Sequence, residues 1–114
     1  MNFIDLTLEV EIAVLRIIKS YKTPNVFIKT KKVKRANPML RDVYESYIGR
    51  TLSKVLHGYE DLGLIKIEGI KQNHSTKFYI KVLKPYYRYA EILEKRYNNY
   101  NGGFEAITQW METF

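Results

Sequence analysis

The sequence predicts an α+β domain that is mostly helical, with one β-hairpin and an added C-terminal helix. Apolar residues recur every three or four positions over residues 8–22 and again over 39–62, which is the period of an amphipathic helix. After Gly63 the period becomes two and predicts paired strands. Pro85 then opens another stretch with helical spacing. The length of 114 residues and the 46% hydrophobic content fit one domain with its own core.

The first helix is predicted over residues 8–22. Its apolar stripe is broad, which is typical of a helix at the centre of a core. Thr7 is the expected N-cap, and Glu9 and Glu11 suit the positive end of the helix dipole, where solvated charge is the default. Thr23-Pro24-Asn25 ends the helix.

A short β-rich run over residues 26–28 predicts a brief strand. Thr30 could then cap a short helix over 31–36, with Val33 and Ala36 facing inward, and the alternative is a solvated loop. Either form leaves a dense positive patch. That patch contains Lys31, Lys32, Lys34 and Arg35.

Residues 39–62 keep helical spacing throughout. The apolar positions are Leu40, Tyr44, Ile48, Leu52, Val55, Tyr59 and Leu62. A break is expected between Ser46, which could cap a helix, and Gly49, which weakens one; a single long helix is the alternative. The strongest segment is 48–62, and Gly63 is the expected left-handed cap at its end.

The hairpin is predicted from strands at residues 64–68 and 77–83, joined by a polar tip over 69–76. A further helix is expected over 85–98. After a breaker rich in Asn and Gly, a short amphipathic helix is expected over 104–114.

The stretch TLSKVLHGYEDLGLI, residues 51–65, resembles the most recognisable part of the winged helix-turn-helix family. In that family a recognition helix leads through a Leu and Tyr pattern to Gly-Leu-Ile, and then to a hairpin called the wing. The chain also looks like small archaeal regulators, whether chromosomal, plasmid or viral. The resemblance implies a DNA-binding domain over residues 1–84 that regulates transcription, followed by a helical extension over 85–114.

The polar face of the 48–62 helix carries side chains that can read DNA bases in the major groove. Arg can bind guanine in a bidentate manner, and Ser or Thr can contact bases or phosphates. The predicted base-reading residues are Arg50, Thr51, Ser53, Lys54 and His57. The alternative is an ordinary amphipathic surface helix.

A second set of polar and basic side chains suits the DNA backbone or the minor groove. The predicted residues are Lys31, Lys32, Lys34, Arg35, Lys71, Asn73, His74 and Lys77. For the hairpin members, the alternative is a plain polar loop.

The C-terminal extension has an aromatic seam of the kind that is enriched at protein interfaces. Winged-helix regulators commonly pair through terminal helices, so the chain is expected to form a homodimer. The predicted interface residues are Tyr86, Tyr89, Leu93, Tyr97 and Trp110. The alternative is packing against the first helix of the same chain.

The net charge of +7 is unevenly distributed. Residues 16–88 hold 17 Lys and Arg against five Asp and Glu, whereas the two ends together hold two against seven. A basic middle between acidic ends favours a localised surface for a polyanion. Double-stranded DNA is the expected partner, in the cytoplasm and away from membranes.

An enzyme is not expected, because the two histidines are isolated and no nucleophile or phosphate-cradling motif is present. The chain has no cysteine and no cluster suited to a metal, so neither a metal nor a cofactor is expected. The sequence does not decide whether a small-molecule effector binds. Three alternatives remain: a non-specific architectural protein, a winged helix for protein–protein contact, and an RNA-binding protein.

Overall fold

Three α-helices and a three-stranded antiparallel sheet form the described part of this computed structural model, which covers residues 5–21, 23–72, 76–85, 88–89 and 91. The chain is therefore a small α+β domain that is mostly helical, as predicted. The elements in order are α1 (Leu6–Ser20), β1 (Asn25–Lys29), α2 (Thr30–Ala36), a 3-10 turn (Pro38–Leu40), α3 (Glu45–Asp61), β2 (Ile65–Gln72) and β3 (Thr76–Val82).

Helix α1 is the central helix of the core, and nearly its whole circumference is buried. It begins earlier than predicted, because Asp5 and not Thr7 is the N-cap: the Asp5 carboxylate accepts from the amide of Leu8 at 3.1 Å. The expectation of a solvated surface for Glu9 and Glu11 is wrong, since their exposed fractions are 7% and 0%. Burial on all sides places even the polar face of α1 against other elements.

The basic segment after β1 is a helix and not a loop. Helix α2 starts at Thr30 itself, with Lys29 as the N-cap residue. Val33 is fully buried and fastens α2 to the core, while Ala36 is half-buried. The helix stops before Asn37, where the chain turns into the 3-10 segment.

Helix α3 runs without a break from Glu45 to Asp61, so the expected interruption between Ser46 and Gly49 is wrong. The alternative of one long helix from residue 39 is also wrong, because Pro38–Leu40 is a separate 3-10 turn. Gly49 serves a close approach instead: a Cβ at this position would lie 3.2 Å from Thr76 Oγ1 and 3.4 Å from Thr30 Cγ2. The second turn of α3 therefore abuts both the start of β3 and the start of α2.

The buried face of α3 differs from the predicted stripe at three positions. Leu56 is fully buried, whereas Tyr44 and Leu62 are 73% and 54% exposed. The last two residues flank the helix and do not belong to it, so helical spacing does not apply to them. Gly63 has φ +74°, which confirms the left-handed cap.

The sheet has the strand order β1-β3-β2, with both pairs antiparallel. Its inner face packs on the helices through Val26, Ile28, Phe78 and Ile80, which are all buried. Both hairpin strands extend further toward the tip than predicted, so that only residues 73–75 separate them. In β2 a register shift between Ile67 and Gly69 leaves Glu68 without a paired residue on β3.

The assignment of Tyr89 to a dimer interface is wrong, because the ring is fully buried within its own chain. It packs edge-to-face on Tyr59 of α3 at 5.4 Å between centroids, and its hydroxyl donates to the carbonyl oxygen of Leu64 at 2.8 Å. Burial raises the pKa of Tyr89 to about 12. Four further interface residues, Tyr86, Leu93, Tyr97 and Trp110, lie outside the described residues, as does the expected helix over 104–114.

Among the described helices, none is both long enough and apolar enough to span a bilayer.

Candidate nucleic-acid interface

The predicted base-reading face of α3 is accessible along its first three turns. Arg50, Lys54 and His57 are exposed, and Thr51 and Ser53 are half-buried. The His57 ring turns back along the helix, with Nδ1 2.7 Å from the carbonyl oxygen of Ser53. Arg50 and Lys54, one turn apart, are therefore the two cations of this face that project from α3 without a carboxylate partner among the described residues.

Two exposed tyrosines, which the sequence analysis did not assign to the site, lie at the N-terminal end of α3. Tyr44 and Tyr47 are 73% and 50% exposed, and their rings meet at 5.9 Å in an edge-on arrangement. The Arg50 guanidinium lies 5.8 Å from the centre of the Tyr47 ring, within cation–π range. Helical spacing predicted Tyr44 to be in the buried stripe, which is wrong. Only the spacing of three residues between Tyr47 and Arg50 indicates that these two side chains can come into contact.

Three of the four predicted backbone-binding cations of α2 come together in one groove. This cationic groove has a volume of about 570 Å³ and is lined by Lys31, Lys34, Arg35, Pro38, Arg41 and Glu45. The sequence analysis missed Arg41, which follows the 3-10 turn, because it stands apart from the basic run. The groove places positive charge directly beside the N-terminal turn of α3.

Lys32 does not join that groove. Its ammonium group lies 4.0 Å from the centre of the Tyr21 ring, and the side chain is half-buried. Burial lowers the pKa of Lys32, and the neighbouring Arg35 lowers it further. Because its side chain packs on Tyr21, Lys32 contributes more to the packing of α2 than to an exposed cationic surface.

Helix α2 is held in place by two polar side chains at its C-terminal end. The Arg16 guanidinium of α1 donates to the carbonyl oxygen of Ala36. Burial lowers the pKa of Arg16 to about 10, and the negative charge of Glu9 opposes this shift. Asn37, fully buried, donates through Nδ2 to the Glu9 carbonyl oxygen at 2.9 Å and to Glu9 Oε2 at 2.6 Å. These bonds set the position of α2, and with it that of the groove.

The distal end of the hairpin lies beside the first two turns of α3, because Thr76 at the start of β3 approaches Gly49. Lys77 follows Thr76 and is half-buried, with its ammonium group 5.9 Å from the Phe27 ring centre. Lys71 is its register partner on β2. The predicted contacts of Asn73 and His74 lie outside the described residues.

No group of three or more His, Cys, Asp or Glu residues suited to a metal ion occurs in the described part of the chain. Comparison with protein-family models, curated proteins and solved structures gave no match.

Proposed function

We propose that this chain is a sequence-specific double-stranded DNA-binding protein of the winged helix-turn-helix type that regulates transcription. The order α1-β1-α2-α3-β2-β3 supports this proposal, because helix, short strand, basic short helix, second helix and hairpin is an order that resembles the winged helix-turn-helix family. In this proposal α3 enters the major groove, and the β2–β3 hairpin contacts the backbone or the minor groove.

One observation carries the proposal: Arg50 and Lys54 are exposed on the first three turns of α3, and the cationic groove and the start of β3 both reach the N-terminal half of the same helix, at Glu45 and Gly49. A helix whose N-terminal turns enter the major groove needs base-reading side chains there and phosphate contacts on both flanks. Arg50 is the best candidate for guanine, since a guanidinium matches O6 and N7 with two hydrogen bonds. The cations of the groove would contact phosphates and so fix the position of the protein along the DNA.

The same surface argues against a protein-binding role for α3, which would favour an apolar or acidic face. The exposed cations give this face of α3 a net positive charge, and DNA is a polyanion whose major groove admits an α-helix. Dimerisation through residues 85–114 remains part of the proposal, without Tyr89. Sedimentation of the intact chain and of its operator complex will measure the number of copies bound.

The test begins with selection of a preferred operator from random duplexes. Arg50→Ala should reduce the preference for that operator over random DNA by about 1–3 kcal/mol. Arg50→Lys keeps the charge but loses the bidentate fork, so it should lose most of the preference at an unchanged salt slope. Equal losses on operator and random DNA in both variants would refute base reading by Arg50. Selection that yields no preferred sequence would leave a non-specific architectural protein.

The groove is tested by a Lys31→Ala/Lys34→Ala double variant. It should weaken binding to all duplexes alike and reduce the slope of log K against log salt by about 1.8, since each phosphate contact contributes about 0.9. Lys84→Ala is the matched control, because Lys84 is exposed at the opposite end of the hairpin. If the control lowers the slope as much as the groove variant, the contacts are diffuse and the groove has no special role.

A further inference from the structure

The outer face of the sheet, the side turned away from the helices, has an ordered arrangement of side chains, most of which the duplex-binding proposal does not use. Strand register places them in three rows across the strands. The first basic row is Lys29 and Lys77, the aromatic row is Phe27, Tyr79 and Gly69, and the second basic row is Asn25, Lys81 and Lys66. Rows are about 6.7 Å apart, two residues along a strand.

The aromatic row is partly open to solvent, since Phe27 is half-buried and Tyr79 is exposed. The rings of Phe27 and Tyr79 lie side by side at 6.2 Å between centroids, with their planes tilted by 56°. Tyr79 is 43% exposed, and Gly69 beside it has open space where a Cβ would lie. The inner-face residues of these strands supply the buried packing, so the core does not require aromatic rings here.

The basic rows work against folding. Lys29 lies directly opposite Lys77, and Lys66 directly opposite Lys81, and like charges in such positions destabilise a sheet. None of these four lysines pairs with a described carboxylate. Instead, the ammonium groups of Lys29 and Lys77 each lie 5.9 Å from the Phe27 ring centre. A bound polyanion would relieve this repulsion.

We infer that the outer face of the sheet binds single-stranded nucleic acid. Unpaired bases stack on Phe27 and Tyr79, and the phosphates lie along the two basic rows. Paired bases inside a duplex cannot stack on these rings, and an acidic peptide would match the charge but not the aromatic row. A second copy of this chain would bring the same lysine rows and be repelled.

Phe27, Tyr79, Lys66 and Lys81 are separate from the proposed duplex surface, whereas Lys77 belongs to both. The inner face of the sheet packs on the helices, so the outer face points away from the helical layer that carries Arg50. The inference does not depend on sequence reading by α3. Binding of a single strand at one face and of a duplex at the other can therefore be measured independently.

The test uses the full chain and fluorescein-labelled oligothymidylate and oligouridylate, each in a salt series. Tyr79→Leu should weaken binding roughly fivefold or more, because the loss of base stacking on one ring costs about 1–3 kcal/mol. Tyr79→Phe keeps the ring and should bind within about twofold of the wild type. Lys66→Gln/Lys81→Gln should lower the salt slope by about 1.4. Thymidylate and uridylate differ in the C5 methyl group as well as the sugar, so oligodeoxyuridylate is compared with oligouridylate to identify the preferred sugar.

Tyr44→Leu is the control, because it removes a tyrosine that is more exposed than Tyr79 and lies at the N-terminal end of α3, so it should leave single-strand binding unchanged. Circular dichroism and the thermal midpoint establish that each variant is folded. The inference is overturned if Tyr79→Leu binds like the wild type, if Tyr79→Phe is as weak as Tyr79→Leu, or if Arg50→Ala weakens the single-strand complex. Loss of duplex preference in Arg50→Ala with unchanged oligothymidylate binding would support both sites separately.

Discussion

Replacing Asn37 by alanine should destabilise the domain more than its small size suggests. Asn37 is fully buried where α2 ends, and it joins that point to α1 through Glu9. Its Oδ1 also accepts from the amide of Met39 at 3.1 Å. One side chain thus fixes the first helix, the basic helix and the 3-10 turn relative to one another.

The magnitude follows from the three hydrogen bonds. The bond to the Glu9 carbonyl oxygen is buried and neutral, and contributes about 1 kcal/mol; the bond to the Glu9 carboxylate contributes about 2 kcal/mol. The amide of Met39 belongs to an exposed residue, so water can replace that partner at little cost. The sum is about 3 kcal/mol, or a fall in the thermal midpoint of roughly 10–20 °C.

Urea unfolding followed by circular dichroism measures the difference, and a loss of this size leaves most domains folded. Asn25→Ala is the matched control, because Asn25 is exposed on β1 and should change the free energy of unfolding by no more than about 0.5 kcal/mol. A loss below about 1 kcal/mol for Asn37→Ala would refute the reasoning. It would mean that water or Arg16 satisfies the Glu9 carboxylate once the amide is gone.

Three further predictions concern stability. Gly63→Ala should lower the free energy of unfolding by about 1–2 kcal/mol, because φ is +74°. Gly58→Ala, in the helix and equally free of steric contact, should raise it by about 0.5–1 kcal/mol. Urea midpoints compare the two variants, and a change in the same direction for both would contradict the prediction. Tyr89→Phe should cost about 1 kcal/mol near pH 7. Burial raises the pKa of Tyr89 to about 12, above its ordinary value of about 10 in the unfolded chain. The wild type should therefore keep its full stability up to about pH 10 and lose the contribution of Tyr89 as the pH rises toward 12. Unfolding measured against pH should show no such loss in Tyr89→Phe. Asp5→Ala should cost about 1 kcal/mol by removing the cap of α1, and an unchanged thermal midpoint would show that the cap adds nothing.

Local signals in the sequence predicted the type of α1, α3 and the three strands, but they left α2 open between a helix and a loop and did not indicate the 3-10 turn. Helical spacing, the change of period after Gly63 and the β-rich run before α2 each depend on residues that are close in the chain. The first and last residues of the elements were less well predicted, because more than one residue can act as a cap. Thr7 and Asp5 are both good N-caps, and packing decides between them. Gly49 was misread for a related reason, since a glycine that breaks a helix and one that admits a neighbouring strand look alike in sequence.

The candidate sites depended on long-range pairing that the sequence does not display. Arg50 and Lys54 could be assigned to the polar face of α3 from spacing alone. Arg41 lies in the cationic groove because the 3-10 turn before it brings the chain back toward α2. The neighbourhood of Phe27 and Tyr79 requires β1 to pair with β3, and their separation of 52 positions leaves no local signal.

The irregularity at Glu68 also bears on how the chain avoids unwanted association. Strand β2 is an edge strand. Apart from the Ile67 amide, which donates to Glu60 Oε2 at 2.8 Å, its outer side presents amide and carbonyl groups with which another polypeptide could pair. The extra residue kinks this edge, and its carboxylate makes a docked strand less favourable. Deleting Glu68 should straighten the border of the hairpin and permit concentration-dependent growth of the sheet from chain to chain.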